Sequence, residues 1–458
     1  MKDSLVSKLI EIAGKDNVKT SIEDRIAHSY DATLYTQLPG VVVSPTTTDQ
    51  VAGVMKLAYE EEIPVTPRGC GTGLSGGAVP SEGGISLAMT RMNKIKEVDA
   101  ENLMAVAEPG VINQDLDKLV ESMGLFYPPD PLSKKGCSMG GNVAEGAGGP
   151  RAFKYGCTRQ YVKGLEVVLA NGDVLKTGSR TVKYVTGFDL TGLFTASEGA
   201  LGVMTEITVQ LLPKPAYTET MLAIYDDVWQ AGRTVSEIVA AGIIPSVLEF
   251  MDSATTKAVE AYAKVGLPAD ADAVLLIETD GHAEAAREDI AKCVEICQRC
   301  KATRVQRAHT AEEREGLWKA RRSAMAAITR INPSLIQEDP VVPRSKVADL
   351  AKAVLNIGER YNLHMCSYGH AGDGNLHPSI LTDIRDPAAM KRAREAVKAL
   401  FDCVLALGGT LSGEHGIGRE KAPYLRQEVG DVGIATMKAL KDALDPKGIL
   451  NPGKIFVN

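Results

Sequence analysis

Long apolar runs are absent from this sequence. No stretch approaches the roughly 18 consecutive apolar residues that a membrane-spanning helix requires. The N-terminal segment MKDSLVSKLIEIAGK mixes acidic and basic residues in an amphipathic helical pattern, unlike the apolar core of a secretory signal. We therefore expect a cytoplasmic protein with no membrane span.

Positive charge is also scarce. The 458 residues contain 51 Lys and Arg against 58 Asp and Glu, which gives a net charge of −7 at pH 7. Binding of nucleic-acid phosphates requires a basic surface, and this composition does not suggest one. The balance of 44% hydrophobic and 24% charged residues is typical of a soluble globular protein without a nucleic-acid partner.

The cysteines lack a regular framework. Eight are scattered along the chain, and only Cys293, Cys297 and Cys300 cluster, on one face of a predicted helix. An iron–sulfur or metal site there is conceivable, but the fourth Cys of the familiar cluster motifs is missing. We predict reduced thiols, buried or half-buried, rather than a cluster site.

Histidine is rare, and its distribution is uneven. None of the seven lies between His28 and His282, whereas His370, His377 and His415 fall in two glycine-rich stretches, HAGDGNLH and GEHG. Two imidazoles and the Glu414 carboxylate suit one divalent ion such as Zn²⁺, Fe²⁺ or Mn²⁺ and leave a coordination position for a substrate. His415, next to a ligand, could then move a proton. The alternative is two polar turns with hydrogen-bonded histidines.

Three further glycine-rich loops lie in the first half of the chain. RGCGTGLSGG (68–77) follows the predicted strand 63–67, SMGGNVAEGAGG (138–149) follows the turn PPDP (128–131), and SEGALGV (197–203) precedes a strand pattern at 205–209. Such loops let the backbone approach a ligand and direct N–H groups at an anion, although a single loop could equally be a structural turn. Together they predict a large phosphate-bearing ligand.

The order of elements indicates more than one domain, as the length alone suggests. Strand 41–45, helix 49–61 and strand 63–67 alternate at the start, and long helices alternate with strands such as 273–278 after Pro213. We predict a first domain over residues 1–213, a second over 214–412, and a C-terminal segment over 413–458.

Eight motifs in this order resemble a known family. PRGCGTGLSGGA, PPDP, MGGNVAEGAGG, LEVVLANGDVL, SEGALGVMTE, HAGDGNLH, SGEHGIG and LDPKGILNPGK are similar to those of FAD-linked D-2-hydroxyacid dehydrogenases. That family, in the vanillyl-alcohol oxidase superfamily, includes D-lactate dehydrogenases, FAD subunits of glycolate oxidase and D-2-hydroxyglutarate dehydrogenase. The resemblance spans nearly the whole chain.

The resemblance implies an α+β fold. It predicts a two-subdomain FAD-binding domain of the PCMH type and an α+β cap domain with an antiparallel sheet, to which the metal ligands belong; the C-terminal segment returns to the flavin. The residues it assigns to FAD are Arg68, Gly69, Cys70, Gly71, Thr72, Gly73, Leu74, Asp130, Ser138, Gly141, Asn142, Ala147, Gly148, Tyr155, Gly156, Glu198, Gly202, Val203, Ile207 and Asn451.

The resemblance also implies catalytic roles. His370, His377 and Glu414 would hold the metal, and His415 would be the base. Arg321, in the pattern Trp-x-x-Arg, would bind the substrate carboxylate. The base could remove the hydroxyl proton while hydride is transferred from the 2-carbon to the flavin. Alternatively, it could first remove a proton from the 2-carbon. The sequence leaves both orders open.

Four positions depart from the family pattern. Gly146 replaces the usual Asn and Ala200 the usual Thr, which puts side-chain contacts to FAD there in doubt. Gln337 and Ser379 stand where 2-hydroxyglutarate enzymes have Lys and Asn. This favours a small monocarboxylate, D-lactate first, with glycolate or D-2-hydroxyglutarate as alternatives.

The sequence also leads to predictions about how FAD is attached and which electron acceptor is used. FAD should be bound non-covalently, because a histidyl link needs an imidazole and the three N-terminal glycine loops contain none. No second nucleotide fingerprint, haem motif or iron–sulfur motif is present, so electrons should pass to an external acceptor, such as an electron-transfer flavoprotein or an iron–sulfur subunit. The rival readings are a cell-wall-type flavin reductase, an alkyl-dihydroxyacetone-phosphate synthase and a non-catalytic flavin-binding module.

Overall fold

The computed structural model describes residues 2–268 and 270–456. The chain forms two compact units. The first comprises the described residues of Met1–Gly148, Cys157–Lys214 and Glu414–Asn458, and the second those of Gly149–Gly156 and Pro215–Gly413.

The helices and strands of the described residues are mixed along the chain. The helices are α1 Asp3–Ala13, α2 Ile22–Ala27, α3 Thr48–Glu60, α4 Asn113–Glu121, α5 Met139–Glu145, α6 Ala152–Tyr155, α7 Thr158–Tyr161, α8 Leu190–Phe194, α9 Val228–Ala240, α10 Ser253–Ala263, α11 Ala283–Arg299, α12 Ala311–Arg322, α13 Ala324–Ile328, α14 Val347–Tyr361, α15 Pro387–Ala406 and α16 Leu425–Leu444. The strands are β1 Val18–Lys19, β2 Val41–Val43, β3 Val65–Arg68, β4 Ile85–Ala88, β5 Ile95–Asp99, β6 Met104–Ala107, β7 Leu125–Phe126, β8 Val162–Val168, β9 Val174–Gly178, β10 Val203–Gln210, β11 Leu212–Pro213, β12 Tyr217–Tyr225, β13 Val247–Asp252, β14 Ala273–Gly281, β15 Arg304–Arg307, β16 Ser334–Gln337, β17 His364–His370 and β18 Asn375–Thr382.

The first unit contains two main sheets. In the order β1-β2-β4-β3, the last three strands are parallel, and the crossover from β2 to β3 is α3, which Thr47 caps by accepting a hydrogen bond from Gln50 N. The second sheet, β5-β6-β10-β8-β9, is antiparallel. The predicted strand–helix–strand pattern at the start of the chain is thus confirmed, with bounds shifted by one to two residues.

The third chain segment completes the first unit. Val65 of β3 forms a parallel bridge with Leu450, in which Val65 N donates to Ile449 O and Asn451 N donates to Val65 O, both at 2.8 Å. Ile449 and Leu450 are buried in the same hydrophobic core as β2, β3 and β4. The turn-rich tail therefore closes the edge of the sheet from which the first glycine loop departs.

The second unit is built on one antiparallel sheet, in the order β15-β12-β14-β13-β17-β18-β16. Its central strands are buried along their length, because helices cover the sheet. This mixture of helices with antiparallel sheets confirms the predicted α+β class. Among the described residues, no helix combines the length and hydropathy that crossing a bilayer demands.

The cysteine cluster lies in the second unit. Cys293, Cys297 and Cys300, on or just after α11, are all fully buried. Burial raises the pKa of Cys297 to about 11 and that of Cys293 to about 12. All three thiols are core residues without a disulfide, which confirms the prediction of ordinary buried cysteines.

Candidate active site

A β-hairpin brings two of the predicted metal ligands together. His370 ends β17, His377 lies in β18, and the turn Ala371–Gly374 joins the strands. Gly374 has φ +87°, and a Cβ there would lie 2.0 Å from Val342 O, so only glycine fits this turn. The Nε2 atoms of the two buried imidazoles are 3.4 Å apart.

The hairpin geometry fits a shared metal ion. Two Zn–N bonds of about 2.0–2.1 Å at a tetrahedral or octahedral angle place their nitrogens roughly 2.9–3.4 Å apart. The observed 3.4 Å between Nε2 atoms falls at the upper end of that interval. His370 and His377 could therefore hold one divalent ion without rearrangement of the strands.

Carboxylates face the other nitrogens of both rings. Glu249, which lies opposite His370 on the neighbouring strand β13, is in hydrogen-bond contact with His370 Nδ1. Asp339 Oδ1 lies 3.6 Å from His377 Nδ1 and also accepts a hydrogen bond from Asn375 Nδ2 at 2.8 Å. Carboxylates behind metal-binding histidines fix the tautomer and ring orientation, so this arrangement supports a metal at Nε2.

Arg321 shares Glu249 with this pair. It is 1% exposed at the end of α12, and its Nε contacts Glu249 Oε2. Its Cζ lies 4.8 Å from the centre of the Tyr368 ring, and its Nη2 has no hydrogen-bond partner among the described residues. Burial opposes ionisation of Glu249, but Arg321 and His370 outweigh it and lower the pKa of the carboxyl. Arg321 therefore offers a fixed, charged donor for an anion.

Tyr368 also has an uncharged polar neighbour, Gln337. Gln337 Nε2 donates to Tyr368 Oη at 2.7 Å, and Gln337 pairs with Ser379 across β16 and β18. Burial raises the pKa of Tyr368 to about 12, so its hydroxyl is protonated at neutral pH. The two family departures at 337 and 379 thus lie side by side and bring no charge to this part of the unit.

In the first unit, the glycine loop after β3 forms a narrow cradle. Gly71 has φ +72°, and a Cβ on Gly69 would lie 2.3 Å from Ser138 Oγ. Ser138 caps α5 by accepting a hydrogen bond from Gly141 N. Close approach of the two loops is possible only without a side chain at Gly69, which is the geometry expected for a backbone that surrounds a phosphate.

Two buried asparagine side chains lie near this cradle. Asn142 Nδ2 and Asn451 Oδ1, both at most 4% exposed, have no hydrogen-bond partner within the described ranges. Buried polar groups are almost always hydrogen-bonded, so their state fits a polar cofactor such as FAD. Gly146, where the family has Asn, ends α5 at φ +75°, a conformation that glycine and asparagine both tolerate.

Other residues assigned to FAD have structural contacts. Val203 and Ile207 are buried in hydrophobic cores, and a Cβ on Gly202 would lie 2.4 Å from Val167. Tyr155 and Gly156 fall in the second unit, where Tyr155 Oη donates to Asp280 Oδ2 at 2.7 Å. Their assignment to the cofactor stays a prediction.

The remaining assigned residues follow the three loops of the first unit. Arg68 is buried, and its Nη1 donates to Ala78 O at 3.2 Å. Gly73 O accepts a hydrogen bond from Ala32 N at 3.0 Å, and Ala147 O accepts one from Thr158 N at 3.0 Å. Thr72 is exposed, and Cys70, Leu74 and Asp130 are partly exposed. For these positions too, contact with FAD stays a prediction.

Glu414 and His415 begin the last segment of the first unit. Glu414 Oε1 lies 3.9 Å from His415 Nε2, and a Cβ on Gly148 would lie 2.7 Å from Glu414 Oε2. In the second unit, Gly413 N, the amide immediately before Glu414, donates to Asp339 Oδ2 at 2.9 Å. Asp339, which contacts His377, thereby fixes the peptide from which Glu414 continues.

Sequence reasoning missed Glu249, Asp339 and Tyr368. Glu249 and Asp339 are at most 1% exposed. A signal for Glu249 was present, since it interrupts an otherwise apolar strand, VLEFM, and a charge inside such a run is rarely buried without a partner. Its partners, Arg321 and His370, lie 72 and 121 residues away, beyond any local pattern.

The chain is similar to known FAD-linked proteins along most of its length. A family model described as "FAD linked oxidases, C-terminal domain" matches residues 214–455, and one described as "FAD binding domain" matches residues 39–178. The chain is 50% identical to "Glycolate oxidase subunit GlcD" of Bacillus subtilis (strain 168), covering 98% of this chain and 96% of that protein. It is 36% identical to "D-lactate dehydrogenase" of Anaerostipes hadrus, covering 98% and 97%.

A solved structure shares the fold. The substrate-bound p-cresol methylhydroxylase superposes with a TM-score of 0.84 at 21% identity, over 100% of this chain and 97% of that one. This likeness confirms the predicted PCMH-type fold, and the FAD-binding domain establishes FAD as the cofactor. Because the matches extend over nearly its whole length, the chain belongs to the FAD-linked D-2-hydroxyacid dehydrogenase family, with the glycolate oxidase FAD subunits and the D-lactate dehydrogenases.

Proposed function

We propose that the protein uses FAD and one divalent metal ion to oxidise a small D-2-hydroxyacid to the corresponding 2-oxoacid. The observation that carries this proposal is Glu249, a buried carboxylate in contact with both Arg321 and His370. One side chain thereby orients the Arg321 guanidinium of α12 and the His370 imidazole of β17. A 2-hydroxyacid presents a carboxylate and a hydroxyl on adjacent carbons, which match these two groups.

Arg321 binds the substrate carboxylate in this mechanism. Its Nη2 lacks a partner in the described structure, while Nε is held by Glu249. The guanidinium therefore approaches the substrate in a fixed orientation, and a charge-assisted hydrogen bond forms without reorganisation.

His370 and His377 hold the metal with Glu414 as the third ligand. The Nε2 atoms of the two histidines lie 3.4 Å apart, a spacing that one ion could bridge, and Gly413, whose amide donates to Asp339, directly precedes Glu414. The bound metal supplies a Lewis acid that lowers the pKa of the substrate hydroxyl.

His415 takes the proton in this scheme. It follows Glu414 in the chain and is only partly buried, so its ring would accept the proton of the substrate hydroxyl and return it to solvent. FAD supplies the acceptor for the hydride from the 2-carbon. Asn142 and Asn451, with the backbone of the 68–77 loop, hold the flavin non-covalently.

D-Lactate is the first candidate substrate, with pyruvate as product. Gln337 and Ser379 are uncharged and Arg321 serves one carboxylate, which disfavours the dicarboxylate D-2-hydroxyglutarate. Glycolate is the second candidate, because the 50% identical relative is named as a glycolate oxidase subunit. That name also supports a protein partner as electron acceptor, and we propose an electron-transfer flavoprotein or an iron–sulfur subunit in the cytoplasm.

The test is anaerobic reduction of the bound flavin by a panel of acids. Purified holoenzyme is mixed with D-lactate, glycolate, D-2-hydroxyglutarate and L-lactate, with and without prior chelation, and flavin absorbance is followed. We expect bleaching by D-lactate or glycolate and its loss after chelation. No bleaching with any acid would overturn the proposal and favour a synthase or a non-catalytic flavoprotein.

The attachment of the flavin is tested separately. After acid precipitation, we expect yellow colour in the supernatant, because the glycine-rich loops 68–77, 138–149 and 197–203 contain no histidine. Colour that stays with the pellet would show a covalent link and contradict the assignment of these loops.

A further inference from the structure

Glu198 makes an unusual pair of contacts for a residue assigned to the cofactor. Its Oε1 accepts a hydrogen bond from Ile417 N at 2.7 Å, and its Oε2 accepts one from Gly418 N at 2.6 Å. The carboxylate is 7% exposed, and the contacts span more than 200 residues of sequence within the first unit. Both carboxylate oxygens are thus committed to two consecutive peptides that follow His415.

The backbone of Glu198 is held as firmly as its side chain. Glu198 N donates to Ala144 O at 2.8 Å, and Glu198 O accepts from Asn451 Nδ2 at 2.8 Å. The residue has φ +53°, a conformation that a non-glycine residue keeps only when its surroundings enforce it. A carboxylate anchored in this way cannot follow a moving loop, so it restrains the loop instead.

The Glu145 carboxyl lies close to the same stretch of backbone, at Gly416. A Cβ on Gly416 would lie 2.1 Å from Glu145 Oε2 and 3.1 Å from Glu198 Oε1, and Gly416 has φ +83°. The chain directly after His415 therefore passes between two buried carboxyl groups. Only glycine fits at position 416 between these two groups, so the backbone at 416–418 is restricted to one conformation.

We propose that Glu198 is a positioning residue that sets the location of the His415 imidazole by fixing the peptides of Ile417 and Gly418. This deepens the proposed function, because it rests on His415 as the base. Glu198 then acts on the reaction through the loop and not through the flavin. A displacement of about 1 Å in a catalytic group can cost on the order of 100-fold in rate, so the restraint has a measurable consequence.

The substitution Glu198→Gln tests the proposal at nearly constant shape. The amide oxygen can accept one of the two N–H groups, but the amide nitrogen faces the other donor, so one contact is lost. We expect the rate constant of flavin reduction at saturating substrate to fall by roughly 10- to 100-fold. The substrate concentration at half-saturation and the FAD content should stay near those of the wild type.

Hydrogen exchange supplies a readout that needs no activity. In Glu198→Gln, the amides of residues 416–418 should exchange faster, measured by mass spectrometry on peptides covering 412–424, with the melting temperature little changed. Glu166→Gln is the matched control, since this carboxylate of the first unit accepts from Thr48 and Thr205 on elements remote from His415. The control should preserve both the reduction rate and the exchange pattern.

Each contrary result has a distinct meaning. A variant that loses FAD, while its remaining holoenzyme is reduced at the wild-type rate, would make Glu198 a cofactor contact and overturn the proposal. Unchanged exchange at 416–418 would overturn it as well. If no 2-hydroxyacid reduces the flavin of the wild-type protein, the proposed function fails. Hydrogen exchange at 416–418 then still decides whether Glu198 restrains the loop. Should Glu198→Gln fold poorly, Glu198→Asp, which keeps the charge but shortens the reach, is judged by the same criteria.

Discussion

The two units would bind their proposed ligands by opposite means. In the first unit, the loop 68–77 and the start of α5 offer backbone, with glycine where a Cβ would strike Ser138 or Arg68. In the second unit, Arg321, His370 and His377 offer side chains, aligned by Glu249 and Asp339 from neighbouring elements. The first unit relies on glycine backbone without side chains, and the second relies on charged side chains held in place by their neighbours.

This difference separates binding from chemistry. Backbone N–H groups suit an extended cofactor whose phosphates need many weak donors, and they carry no titratable group. Buried ionisable side chains are costly unless paired, and here each is paired with another, so the second unit is committed to one arrangement. Changes in the loop 68–77 should therefore leave the metal in place, and changes at Arg321, His370 or His377 should leave FAD in place.

The largest effect is expected for His415→Ala. General-base catalysis contributes about 10²- to 10⁴-fold, so the rate constant of flavin reduction should fall by that factor. FAD content should persist, because the cradle does not depend on an imidazole. Stopped-flow absorbance under anaerobic conditions measures the loss, and near-wild-type reduction would remove His415 from the role of base.

Removal of a metal ligand should be next in size. His377→Ala should weaken metal binding by more than the roughly 10- to 100-fold typical of lost outer contacts to a metal ligand, with FAD retained. Elemental analysis and flavin absorbance on the same sample measure both. His364→Ala, an exposed histidine at the start of β17, is the control and should keep its metal. Full metal occupancy in His377→Ala would refute the ligand set.

Arg321→Lys should affect the substrate. Lysine keeps the charge but not the planar fork, and a charge-assisted hydrogen bond contributes about 1.5–3 kcal/mol, so kcat/KM should fall roughly 10- to 100-fold. Steady-state dye reduction measures it. The neighbouring Arg322, whose half-exposed side chain pairs with Glu315, provides the control, and Arg322→Lys should change nothing. Equal losses in both variants would contradict a specific role for Arg321.

The smallest effect is expected in the cradle. Alanine at Gly71 would adopt φ +72° at a cost of about 1–3 kcal/mol, and its Cβ would press on Arg68, so FAD affinity should fall about tenfold while metal binding persists. Titration of apoprotein with FAD, followed by fluorescence quenching, measures this. Gly83 has φ +68° with no atom near a Cβ, so Gly83→Ala carries similar strain without the clash. A matching loss of FAD affinity there would show that strain alone is responsible.

The sequence was informative where chemistry is local. The strand–helix–strand start, the α+β class and the cysteine burial follow from periodicity, caps and composition, and the hairpin of His370 and His377 is contained within eight residues. Glu249 and Asp339 could not be assigned, because antiparallel pairing brings them to the histidines from distant positions. Glu198 was assigned to the flavin from its motif, whereas its long-range contact with the 417–418 amides exists only in the folded chain.

The bridge between Val65 and Leu450 has a consequence for biosynthesis. Val65 is translated well before its partner Leu450, by tens of seconds at roughly 5–20 residues per second. The second unit, nearly continuous from 215 to 413, can fold while translation proceeds, whereas the first must wait for its final segment. Until then, the edge of β3 and the hydrophobic residues that pack around Ile449 are exposed to non-native strand pairing and to chaperones. We therefore expect FAD binding that involves Asn451 to follow the folding of the second unit.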